Sequence, residues 1–155
     1  MADRAMLSGE RFVRSILIDT GPIVALLNKR ERFHAQAREL FNSLRPSDTI
    51  LTTWPVVTEV SFLIKANRTA LWQWLDHSGI VVQAFTLTDV TEMWRLMQPH
   101  DDREVDFADA SLVWLAVHCG TDLIAITDFN DFETYRLPGK RPFRLLFSRA
   151  SRPPR

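Results

Sequence analysis

Asp19, Glu59, Asp109 and Asp128 are the residues of this chain best placed to do chemistry. Asp19 and Asp128 each stand at or just beyond the end of a short apolar run, residues 15–18 and 123–126. In an open parallel sheet such positions face the crevice beyond the strand carboxyl ends, where sites form at a reversal of strand order. If the two runs are neighbouring strands, these acids meet although most of the chain separates them. The alternative for either is an Asx turn, its carboxylate bonding nearby backbone. Glu59 shares a helical stripe with Val56, Val60 and Leu63, and Asp109 shares one with Leu112, Val113 and Ala116. An acid on an apolar stripe must be paired or bound to something, because lone buried charge is costly. A buried salt bridge is the alternative. Lys65 lies too far along its helix to serve Glu59, and the Asp109 stripe carries no basic residue.

Two further acids have two open readings each. Asp106, three residues before Asp109, is either the helix N-cap or a ligand acting directly or through water. Asp131 is either a supporting acid behind Asp128 or a turn residue. An oxygen-only donor set without a matching His or Cys cluster suits a hard cation, Mg²⁺ or Mn²⁺. The four histidines, at 34, 77, 100 and 118, show no metal-ligand spacing. Carboxylate-held Mg²⁺ is the usual device for phosphate chemistry. Other chemistries lack their parts: there is no G-x-x-x-x-G-K, G-x-G-x-x-G or G-x-S-x-G.

The elements that must position these acids are short apolar strands alternating with helices. Strands are expected at residues 15–18, 49–53, 80–85, 123–126 and 143–147. Between them the apolar spacing predicts helices over 23–28 behind Gly21-Pro22, 33–44, 55–66, 69–77, 88–97 with Thr88 as N-cap, and 106–119. This alternation implies an α/β fold with a mostly parallel sheet of four to five strands and helices on both faces.

At 155 residues the chain is expected to form one domain over 15–147, between a loose 1–14 lead and a basic, disordered 148–155 tail. The net charge of zero gives no bulk nucleic-acid signature. The charge is unevenly placed: nine acids against one Arg between 101 and 133, then seven Lys or Arg and no acid from 136 onward. Such a pair of regions could attract cations and phosphates respectively, or be a solvated loop and a frayed tail. The single cysteine, Cys119, excludes an intrachain disulfide and fits a reducing compartment. With no signal-like lead and no membrane-length apolar run, a cytoplasmic location is expected.

Four segments in order, ILIDTGPIVALLN, TTWPVVTEV, VDFADASLVWLA and LIAITDFNDF, are similar to those of PIN-domain ribonucleases, above all the VapC toxins of toxin–antitoxin pairs. The resemblance spans about residues 15–147. It implies an α/β/α sandwich, Mg²⁺- or Mn²⁺-dependent RNA cleavage, and restraint by a cognate antitoxin. It places Asp19, Glu59, Asp109 and Asp128 as the site acids, with Asp19, Asp109 and Asp128 holding metal directly or through water and Glu59 orienting water. Thr20 and Thr127 match hydroxyl positions beside those acids, and Asp106 matches a position that is Ser, Thr or Asp in relatives. Trp54 could stack an RNA base or pack in the core. The apolar helices of 23–44 and around Trp72 could supply a homodimer or antitoxin surface. Two rivals stand beside this reading: a catalytically silent RNA- or protein-binding module of the same fold, and a haloacid-dehalogenase-type phosphatase. The latter needs a second Asp two positions after Asp19, where this chain has Gly21.

Overall fold

A computed structural model describes residues 13–100 and 104–149. Most of the expected lead, the acids at 101 and 102, and the tail beyond 149 lie outside the described residues. The strands are β1 (Ser15–Ile18), β2 (Thr49–Thr53), β3 (Val81–Gln83), β4 (Leu123–Ala125), β5 (Arg136–Leu137), β6 (Arg141–Pro142) and β7 (Arg144–Leu145). The helices are α1 (Thr20–Leu27), α2 (His34–Asn42), α3 (Trp54–Leu63), α4 (Arg68–His77), α5 (Leu87–Met97), α6 (Phe107–Cys119) and the single turn α7 (Phe129–Phe132).

The main sheet runs in the order β3-β2-β1-β4-β7, and every neighbouring pair is parallel. β5 and β6 form a separate antiparallel pair. The central strand β1 is buried on both faces, which is why its apolar run does not alternate. Its Ile16, Leu17 and Ile18 are all fully buried, each stabilising the fold by about 1.5–3 kcal/mol. From β1 the chain steps outward to β2 and β3, then crosses back to lay β4 on the other side of β1. Right-handed crossovers in opposite directions put α1–α4 on one face and α5–α6 on the other. The packing of α1 on α2 and α3, and of α5 on α6, agrees with this three-layer arrangement. The strand order therefore reverses between β1 and β4, where Ile18 pairs with Ala125 and the Asp19 amide donates to the Ala125 carbonyl at 3.0 Å.

Several boundaries differ from the sequence expectation. The third and fifth strands shrink to Val81–Gln83 and Arg144–Leu145, and the helix expected over 55–66 ends at Leu63, followed by a 3-10 turn at Lys65–Asn67. The cap of α5 is Thr86 rather than Thr88: the Asp89 carboxylate accepts from both the Thr86 amide (2.7 Å) and its hydroxyl (3.0 Å). Thr86→Ala is expected to cost about 1 kcal/mol, whereas Thr88→Ala should stay within roughly 0.5 kcal/mol. Denaturant melts of both variants check this ordering. Trp114 is in the core, while Trp72 and Trp94 stand out into solvent. Gly120 closes α6 in the left-handed region, a φ of 65° that its missing Cβ makes cheap.

The ends of the domain are tied down. The Arg14 guanidinium forks onto Asp48 at 2.7 and 3.2 Å. Gln36 on α2 makes a reciprocal pair of hydrogen bonds with the Ser148 backbone, at 3.1 and 3.2 Å. Among the described residues no helix is long and apolar enough to cross a membrane.

Candidate active site

The four acids come from four elements and point to one end of the sheet. Asp19 follows β1 and begins α1, yet its carboxylate makes no capping bond along that helix. Its one backbone contact is the adjacent Thr20 amide, so the carboxylate is not spent on capping α1. Glu59 projects from α3, half-buried, and its Oε2 accepts from the Thr20 hydroxyl at 2.7 Å. Asp109 lies in the first turn of α6, where the hydroxyl of Tyr135 donates to its Oδ2 at 3.1 Å. Asp128 lies just beyond β4; its Oδ1 accepts from the Asn130 amide at 3.3 Å, so this acid also caps α7.

The half-buried acids Asp19, Glu59 and Asp109 are held above their ordinary range. Burial pushes Asp19 up to about 7, and the nearby charges of Glu59, Asp106 and Asp128 push the same way against the Thr20 amide. Burial, then Asp19, Asp106 and Asp131, push Asp109 up to about 8 against the Tyr135 hydrogen bond. Burial and Asp106 also raise Glu59, against the Thr20 bond. Asp19, Glu59 and Asp109 thus share one neighbouring charge, that of Asp106. No arginine or lysine among the described residues is paired with Asp19, Glu59, Asp106 or Asp109. The salt-bridge alternative for Glu59 and Asp109 has no partner to stand on.

A family model for the PIN domain matches residues 16–136, most of the chain. This chain belongs to the PIN domain family. Among solved structures, the PIN domain here is similar to VapC20 of Mycobacterium tuberculosis, described as a Sarcin-Ricin loop cleaving toxin. The TM-score is 0.64 at 24% identity, over 74% of this chain and 91% of that one. It is also similar to VapBC2 of Rickettsia felis, solved bound to a DNA fragment from its promoter. There the TM-score is 0.59 at 14% identity, over 84% of this chain and 98% of that one. No curated protein matches this chain.

The structure shows Asp106 as the N-cap of α6, close to the other acids of the PIN domain. Its Oδ1 accepts from the Ala108 amide at 2.6 Å as an N-cap, while its charge presses on Asp19, Glu59 and Asp109. Asp131 sits in α7, and its charge adds to the upward push on Asp109. Thr20 holds Glu59, as described above. Thr127 instead packs against Gly21. A Cβ added to Gly21 would lie 1.7 Å from the Thr127 Oγ1 and 2.9 Å from its Cβ. Gly21 is therefore required for the β1 and β4 ends to close on each other. Trp54, the first residue of α3, is 52% exposed at the carboxyl edge of the sheet, so it is not a core residue. Behind the acids, the Thr53 and Ser111 hydroxyls pair at 2.6 Å in the core and tie the end of β2 to α6.

Tyr135 was not singled out from the sequence. It is the only tyrosine in the chain, fully buried, packed edge-on against Phe132 and His100 with its hydroxyl on Asp109. A lone tyrosine seven residues past the last of the four acids, behind Phe129 and Phe132, was the available signal: buried hydroxyls need partners.

The donor set fits a hard cation: carboxylates and hydroxyls only, with raised acids that a positive charge would relieve. Among the described residues no three acid, His or Cys side chains are placed to clasp an ion between them. Such a site suits a cation that takes one or two carboxylates and keeps waters, as Mg²⁺ does.

Proposed function

We propose that this PIN domain is a Mg²⁺- or Mn²⁺-dependent ribonuclease acting in the cytoplasm as the toxin of a pair restrained by a protein antitoxin. The observation that carries the reading is the gathering of Asp19, Glu59 and Asp109 from three elements at one end of the sheet, each raised by burial and by the charge of Asp106, with no cationic partner among the described residues. Asp19 and Asp109 would hold the ion directly, with Asp128 reaching it directly or through water. When bound, the cation would neutralise phosphate charge, acidify water and steady the departing oxygen. Glu59, fixed by the Thr20 hydroxyl, orients the attacking water and accepts its proton. Tyr135 keeps the Asp109 carboxylate from rotating away. Trp54 offers an exposed ring on which an unpaired base can stack. Phe62, Leu63 and Trp72 are exposed apolar side chains on α3 and α4, available to an antitoxin or a second copy of the chain.

The test is incubation of the purified chain with structured RNAs in Mg²⁺, Mn²⁺ or EDTA. Cleavage is expected in the first two and not the third. Binding without cleavage under every condition identifies a silent binding module, and turnover of a simple phosphomonoester alone identifies a phosphatase. A thermal shift gives an independent readout. At saturation near a hundredfold its Kd, the cation should add about 2.7 kcal/mol of stability, and the gain should shrink toward pH 5, where the acids bind protons instead.

A further inference from the structure

Beside Asp128 lies a cleft of about 230 Å³ lined by Arg32, Phe33, Thr127, Asp128, Phe129, Asn130 and Arg149. Each arginine rides on a phenylalanine: the Arg32 guanidinium is 5.4 Å from the Phe33 ring centre and that of Arg149 5.2 Å from Phe129. The two rings pack on each other at 6.0 Å. Two planar cations are thus set on one aromatic base, at the edge of the acid cluster. The segment carrying Arg149 is fastened by the Gln36–Ser148 pair. Glu133 holds one nitrogen of Arg149, with both bonds of 3.0 Å going to Nη2. Nη1 and Nε remain to meet another acceptor, and the exposed Glu133 pair is weak enough to share.

A cluster of acids repels a polyanion until fixed cations lie close by. We infer that this cleft is a nucleotide subsite, in which Arg32 and Arg149 hold the RNA phosphodiester next to the one that is cut. The inference rests on the ribonuclease reading above. The cleft opens beside Asp128, so a phosphate held there continues into the acid cluster. Paired guanidinium forks match phosphate oxygens, and Asn130 can reach a base edge.

Anisotropy with labelled single-stranded RNA in Mg²⁺ tests it, in an Asp19→Asn background to suppress cutting. Arg32→Ala and Arg149→Ala should each weaken binding roughly tenfold and flatten the salt dependence by about 0.7 in log–log slope. Arg149→Lys should restore the slope but not the full affinity. Glu133→Gln, which frees Arg149, should tighten binding; a merely structural ion pair would show only a lower Tm. In the otherwise unaltered enzyme the arginine variants should raise KM with kcat within about threefold. Wild-type affinity and slope in both alanine variants, while the parent still cleaves, overturn the subsite alone. No cleavage by the parent with any metal overturns the ribonuclease reading and the subsite with it. Loss of affinity for an acidic polyglutamate peptide but not for RNA would make the cleft a protein-recognition site and overturn the proposal.

Discussion

Asp19→Asn should destroy RNA cleavage and, in the same protein, raise the stability of the metal-free chain. The loss follows from removing the acid that the other carboxylates surround. Cation-borne stabilisation of a phosphoryl transition state is worth several kcal/mol, so a thousandfold fall, about 4 kcal/mol, is expected. The gain follows from linkage. The Asp19 carboxyl sits at about 7 in the folded chain against an ordinary value of 3.8. A raised acid binds more protons folded than unfolded. Its contribution is therefore neutral below the unfolded value, grows unfavourable as pH rises from the unfolded value to the folded one, and levels off at its worst above it. Asp109, pushed up to about 8, adds a second penalty in the same direction. At pH 8 the asparagine variant should be more stable by about 2 kcal/mol after solvent screening, and near pH 3.5 the two proteins should melt together. Denaturant curves at the two pH values, with EDTA present, check both halves. A variant that is less stable than its parent at pH 8 would mean that the carboxylate is not repelled, and the cation-site reading would lose its support.

Gly21→Ala is expected to damage the protein more than any other single methyl addition near the site. The new Cβ would meet the Thr127 Oγ1 at 1.7 Å and its Cβ at 2.9 Å, so the ends of β1 and β4 must part. Overpacking of this kind costs roughly 1–3 kcal/mol. The effect on turnover should be larger, because Asp19 and Asp128 flank that contact in sequence and a displacement near 1 Å can cost about a hundredfold. The double variant Gly21→Ala with Thr127→Gly removes both close atoms and should recover most of the stability. An alanine variant with unchanged melting and turnover would show that the two strand ends are not locked.

Much of this arrangement was readable from residue order, for reasons that differ by element. Residues 15–18 carry an apolar run ended by a polar group and residues 49–53 are rich in β-branched side chains, and tertiary burial agrees with local pattern in both. The acids of α3 and α6 were conspicuous because each interrupts an apolar stripe. The α5 cap was expected at Thr88, although Thr86 and Asp89 have the capping-box spacing and Thr88 has no acid three residues on. Where the reading fell short, the elements were too small to show a period. α7 has four residues and β5, β6 and β7 two each, so Tyr135 and Arg149 arrive at the site through packing rather than pattern. The exposed Trp54, Trp72 and Trp94 mark the limit of composition: a tryptophan's size favours burial, but helix phase and the neighbouring elements decide whether burial is available.

The pairing of β1 with β4 has a consequence for synthesis. Asp19 is made early and Asp128 late, and the strand that brings them together is the fourth to leave the ribosome. Contacts so distant in sequence form slowly, because the loop must close before they contribute. A growing chain that stops short of Leu123 has the first three acids but no β4 to complete the crevice. If the domain cuts RNA as proposed, the machinery that translates it meets no finished site until β4 has left the ribosome.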